Sequence, residues 1–204
     1  MMQMRFNWFG LAAGILTLVV LIVSIFVPWW QLTVGDSLMQ VNVSPFNTNF
    51  GMLSHQFTVP LIWAWNVATV LLFLATGIAM LFYSLNPTKS YGKELLWFSY
   101  RKPLYALILF IAGLFVILAA VGFFGFGIPV QGTSNIALPT QLMPFGVTVS
   151  MLVSAGFQLP FWLAVAAVVL CIAARIYHGR IFNIPETVVP GIPPPIPPEQ
   201  SMIS

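Results

Sequence analysis

Four apolar runs, at 9–27, 61–82, 104–126 and 159–176, decide what this chain can fold into. A helix needs about 20 mainly apolar residues, rising 1.5 Å each, to cross roughly 30 Å of hydrocarbon. Each run meets that length, and none carries Asp, Glu, Lys, Arg or His except at its extreme end. Charge is scarce throughout: 5% of 204 residues, against about 25% in a soluble domain. Soluble enzymes, disordered tails and nucleic-acid binders are excluded on that ground, since 7 Lys and Arg cannot build a useful basic patch. The lone Cys171 leaves no internal disulfide and no cysteine-rich metal site. The expected fold class is all-α membrane: a four-helix transmembrane bundle.

The first run exceeds the roughly 7–15 apolar residues of a secretory signal, and Pro28-Trp29-Trp30 is a poor cleavage site, so it reads as a retained anchor. Orientation follows from the cations. Arg5 precedes the first run; Lys89, Lys93, Arg101 and Lys102 lie between the second and third; Arg175 and Arg180 end the fourth. Segments 28–60 and 127–158 hold none. The positive-inside rule places both termini in the cytoplasm and those two loops outside the cell membrane. Trp29, Trp30, Trp63, Trp65 and Trp162 fall at the outer boundaries, where amphipathic rings anchor in headgroups, and Trp8 and Trp97 fall near the inner ones.

The chain also resembles one hairpin written twice. Ser54-His55-Gln56-Phe57-Thr58-Val59-Pro60 parallels Ser154-Ala155-Gly156-Phe157-Gln158-Leu159-Pro160, and Pro45-Phe46 parallels Pro144-Phe145 at nearly the same spacing. The expected organisation is two tandem helix–loop–helix units, 1–90 and 91–180, followed by a Pro-rich cytoplasmic tail, 181–204. Pro60 and Pro160 suit the first turn of a helix, where a missing N–H has no partner to lose.

Loop one is too long for a bare connector. Its start, Trp30–Val34, then Gly35-Asp36, then residues 37–43, reads as two β-rich runs around a Gly-containing turn, hence a β-hairpin. Loop two can add strands at 128–131, 135–138 and 146–149. The expectation is a small extracytoplasmic cap containing a β-hairpin. Asn42-Val43-Ser44 is a glycosylation sequon on the same side.

Four spans, cytoplasmic termini, and a first loop opening Pro28-Trp29-Trp30-Gln31-Leu32-Thr33 resemble the claudin/PMP22-type tetraspan proteins. Pro28, Trp30, Leu32 and Thr33 fit that family's strand opening. Its paired loop cysteines and its Gly-Leu-Trp signature are absent here. The resemblance implies an adhesion, barrier or auxiliary-subunit role.

Buried chemistry is missing from the sequence. No ionisable residue sits at mid-membrane depth, where one would mark an ion or proton path. His55 lies in loop one and His178 past the fourth run, neither placed for haem or metal, so no cofactor and no metal are expected. No Ser/His/Asp or Cys/His group converges, and catalysis is not expected. Packing chemistry is present instead: Gly10-Leu11-Ala12-Ala13-Gly14 is a GxxxG pattern for internal packing or dimerisation, and Gly113 is another small position. Asn66, Thr69 and Thr76 share a face of span two, and Asn66 should find an inter-helix hydrogen bond, because an unpaired amide in hydrocarbon costs about 2–7 kcal/mol. Cys171 reads as a small buried hydrophobe. In the tail, Pro193, Pro194, Pro195, Pro197 and Pro198 favour extended polyproline II, either docking a partner or draping on a surface.

These readings converge on a non-catalytic accessory subunit whose partners are the lipid bilayer and other membrane-protein subunits or a second copy of itself, not nucleic acid. Two rivals stay open: a small channel or carrier for a neutral or apolar solute lined by Asn66, Thr69 and Thr76, and a quinone- or cofactor-binding membrane subunit.

Overall fold

The computed structural model describes residues 6–35, 38–52, 55–123, 128–137 and 150–181. Among them are four helices long and apolar enough to cross a membrane: α1 (Trp8–Phe26), α2 (Pro60–Leu85), α3 (Gly92–Phe123) and α4 (Leu159–Ile181). α1 packs against α2 and α4, and α3 packs against the same two, so the four close into a ring. Pro60 occupies the first turn of α2, as its chemistry requires. The third helix departs from expectation: it begins at Gly92, well before Leu104, and runs straight through Pro103. The reason lies in a buried stripe, Gly92, Leu96, Ser99, Pro103, Leu107, Phe110 and Leu114, which keeps a 3.6-residue period across the Arg101-Lys102-Pro103 break. The tertiary burial of that stripe outweighs the local signal to stop.

An all-α description is incomplete. Six strands form one antiparallel sheet: β1 (Trp30–Val34), β2 (Met39–Val43), β3 (Asn49–Met52), β4 (His55–Phe57), β5 (Gly132–Ala137) and β6 (Ser150–Phe157). Their order is β4-β3-β2-β1-β6-β5. The hairpin expected in loop one is β1–β2, with Trp30 opposite Val43 and Val34 opposite Met39. Gly35 makes its turn at φ 48°, a left-handed conformation that favours glycine. β6 pairs with the other edge of β1, Trp30 opposite Phe157, so the two loops build a single sheet. Of the strands anticipated in loop two, 128–131 forms none, 135–138 lies partly in β5, and 146–149 falls outside the described residues.

Alternation sorts the sheet into two faces. Trp30, Leu32, Val41, Val43, Val153, Ala155 and Phe157 share one face and join the main core with Phe73, Phe110, Leu114 and Phe161 of the helices. The opposite face carries the uncharged polar side chains Gln31, Thr33, Gln40, Asn42, Asn49, Gln56 and Ser154, with the exposed Leu152 at the far end of β6. A second core of Ala13, Met80, Tyr83, Leu96, Cys171 and Ala174 fills the end of the bundle remote from the sheet. Cys171 is thus the buried hydrophobe its sequence position suggested.

Candidate interaction surface

Three helix junctions sit at one end of the sheet. β1 starts four residues after α1 ends (30 − 26), β4 ends three before α2 begins (60 − 57), and β6 ends two before α4 (159 − 157). The far end, where Val34, Met39, Met52 and His55 stand in register, is one strand length away, roughly 15 Å. That distal rim carries large apolar side chains in the open: the cross-strand partners Met39 and Met52 are 46% and 58% exposed, Leu38 precedes Met39 in the turn, and Leu152 is exposed on the other face of β6. Apolar side chains gathered beyond the helix ends mark an interaction site more often than singly scattered ones do. Methionine suits such a rim, being flexible and polarisable enough to fit irregular partners.

The polar face is tied down by a relay of amides. Gln40 Nε2 donates to Asn42 Oδ1 at 3.1 Å, Asn42 Nδ2 to Asn49 Oδ1 at 2.8 Å, and Asn49 Nδ2 to Asn47 Oδ1 at 2.7 Å. Asn47 Nδ2 closes the relay on the Ile25 carbonyl at 2.9 Å. That carbonyl lies in the last turn of α1, where helix geometry leaves carbonyls without internal donors. The relay thereby locks the sheet to the helix that precedes it. The sequon's Asn42 is buried in this relay, its Nδ2 donating to Asn49.

The five tryptophans expected at the interface divide. Trp63, Trp65 and Trp162 are exposed on the helices, as anchors must be. Trp29 is 0% exposed and Trp30 2%, so neither can reach headgroups. Both are instead part of the main core that joins sheet and helices. Trp29 packs edge-on against Phe46, Phe110 and Phe161, with centroids 5.8, 5.0 and 6.2 Å away, and donates Nε1 to Ser24 Oγ at 2.9 Å. Trp30 donates Nε1 to the Val130 carbonyl at 2.8 Å, tying loop one to loop two. These two rings are the hinge pins between sheet and bundle.

Small residues behave in two ways. A Cβ on Gly10 would lie 2.5 Å from Ser84 Oγ, and one on Gly14 would lie 2.8 Å from Leu81 Cδ2 and 3.2 Å from the Gly77 carbonyl. The GxxxG pattern therefore packs α1 on α2 within the chain. Gly113, grouped with them from sequence, meets nothing within 4 Å and faces outward on α3. On α2, the Thr69 and Thr76 hydroxyls return to their own helix, donating to the Trp65 and Leu72 carbonyls at 2.9 and 2.7 Å. Asn66 is buried, and its Oδ1 has no partner among the described residues, against the expected inter-helix bond. Nearby, a cavity of about 10 Å³ among Thr17, Val20, Trp29, Phe73 and Ala164 has room for at most one water.

A polar cluster at the opposite end went unread in the sequence. Asn7 caps α1, its Oδ1 accepting from Gly10 N–H at 3.0 Å. Its Nδ2 then donates to Tyr83 Oη at 2.8 Å and to the Ala174 carbonyl at 3.2 Å, and Tyr83 Oη meets His178 Nδ1 at 2.9 Å. An Asn just before an apolar run is an N-cap signal, and Tyr83 and His178 end spans that finish on the same side; together those two facts could have found the cluster. Among the described residues no group of three His, Cys, Asp or Glu could hold a metal. The docking prolines Pro193, Pro194, Pro195, Pro197 and Pro198 lie outside the described residues. No protein-family model matches the chain, and no curated protein matches it.

Proposed function

We propose that this is a non-catalytic, multi-pass membrane protein that serves as an accessory or structural subunit of a larger membrane assembly. It docks through the distal rim of its sheet and through the open faces of its helices. The observation that carries the reading is the exposed cross-strand pair Met39 and Met52, at the end of the sheet a strand length from the helix junctions. α3, the least covered helix, offers a second contact through its outward Gly113.

Orientation in the cell membrane belongs to the same proposal. Every described cation lies at the end of the bundle remote from the sheet. The positive-inside rule then puts the sheet outside and both termini in the cytoplasm. The likeness to claudin/PMP22-type tetraspan proteins supports a contact role for such a sheet, since here too a strand follows directly on Pro28-Trp29-Trp30. Photo-crosslinking from positions 39 and 52 in intact cells tests the reading. Discrete adducts to another membrane protein or to a second copy are expected; adducts to lipid alone, or none, would defeat it.

A further inference from the structure

Arg101 and Arg175, from different helices, converge on one ring. The Arg175 guanidinium lies 4.3 Å over the Tyr100 ring, and Arg101 Nε donates to Tyr100 Oη at 3.3 Å. Arg101 also lies 4.1 Å over Trp97, and Lys102 Nζ stands 5.6 Å over Phe98. Three cations are thus held at one level of the bundle. The sole carboxylate among the described residues, Glu94, sits two turns earlier in α3, roughly 10 Å along the axis from Arg101. With ring faces against the two guanidinium groups, the N–H donors other than Arg101 Nε remain for the oxygens of a phosphate, which a guanidinium takes in pairs.

Depth identifies the ligand. The unbroken apolar stretch of α3 begins at Leu104, just past Lys102, and that of α4 ends at Ala174, just before Arg175. Both arginines therefore stand at the hydrocarbon boundary, where lipid phosphates lie. On the hydrocarbon side of them the exposed side chains Tyr105 and Ile108 of α3, and Val169 and Ile172 of α4, offer apolar surface for acyl chains. We propose that Arg101, Arg175 and Tyr100 form a binding site for the phosphate of an anionic lipid headgroup, with Lys102 at its margin. Basic pockets between spanning helices take such headgroups. A soluble phosphate ester shares the headgroup chemistry but has no chain to lay on Ile108 and Ile172.

Native mass spectrometry of the full chain, released from phosphatidylglycerol or phosphatidylcholine nanodiscs, tests this. The chain should retain phosphatidylglycerol and not phosphatidylcholine. Arg101→Gln with Arg175→Gln should weaken retention about 25-fold, near fivefold for each cation. Lys89→Gln with Arg180→Gln, which removes equal charge from the same end, should leave it within a fewfold. Should the double variant not fold, Arg175→Lys keeps the charge without the planar fork and should still weaken retention severalfold, unchanged retention overturning the site. Equal retention of both lipids, or equal loss in the two double variants, would overturn the site. Displacement of the lipid by millimolar glycerol phosphate would overturn the lipid as its ligand.

Discussion

Asn7 and Tyr83, 76 positions apart in the chain, share a 2.8 Å hydrogen bond that fixes where α1 begins against where α2 ends. The Gly10 N–H can only donate, so Asn7 Oδ1 accepts and its Nδ2 must donate to Tyr83 and to Ala174. Tyr83 Oη, having accepted from Asn7, also bonds His178 Nδ1, the tautomer of the imidazole setting which of the two donates. One amide thus joins three helices, with the direction of each of its own bonds determined.

Replacing Asn7 should therefore cost more than an ordinary helix cap. Asn7→Ala removes the cap, worth about 1 kcal/mol, and leaves buried partners unsatisfied, for a total of about 2–4 kcal/mol. Tyr83→Phe should cost less, because the cap to Gly10 survives. Thermal unfolding of both variants and their double variant in one detergent gives the coupling; a coupling near zero would mean the contact contributes nothing.

The two classes of tryptophan separate in the same assay. Trp29→Ala should destabilise by about 3–5 kcal/mol, since it empties a fully buried site between sheet and helices. Trp63→Ala, at an exposed position, should change stability by no more than about 0.5 kcal/mol. Similar costs for the two would contradict the burial difference between them.

Glycines give a packing test. Gly14→Leu must drive a side chain into Leu81 and the Gly77 carbonyl, at a cost of about 1–3 kcal/mol or more. Gly113→Leu meets open space in the monomer and should leave its stability unchanged. Loss of a larger complex on Gly113→Leu, with the monomer still folded, would locate a partner on α3.

Acid should spare the sheet. No strand contains Asp, Glu, Lys or Arg, so no strand carboxylate is there to be protonated, which is the usual origin of acid unfolding. Near-ultraviolet circular dichroism, dominated by Trp29 and Trp30 in their fixed surroundings, should be the same at pH 3 and pH 7. Collapse of that signal at pH 3 would contradict an amide-tied cap whose strands hold no carboxylate and one imidazole, His55.

Legibility in the sequence followed the physics of each signal. Apolar runs of spanning length placed α1, α2 and α4 within a few residues, because lipid leaves the backbone no alternative to helix. α3 begins well before the apolar run at 104–126, because Lys93, Glu94, Arg101 and Lys102 bound that run while the buried stripe through Leu96 and Ser99 carries the helix past them. Gly35 revealed the β1–β2 hairpin. The pairing of Trp30 with Phe157 was beyond reach of a local pattern, and with it the burial of Trp29 and Trp30: long-range strand pairing is written in no window of the sequence. Gly10 and Gly14 were found through a motif with a mechanism, whereas Asn66 was expected to bond and its Oδ1 does not.

The central claim is that the distal rim docks a partner, and the mass of the native particle tests it most directly. Purified at native expression in mild detergent, the protein should run as an assembly larger than one chain. Met39→Ser with Met52→Ser should release the monomer with its unfolding temperature unchanged. A monodisperse monomer from the unaltered chain, or an assembly indifferent to both substitutions, would contradict the account.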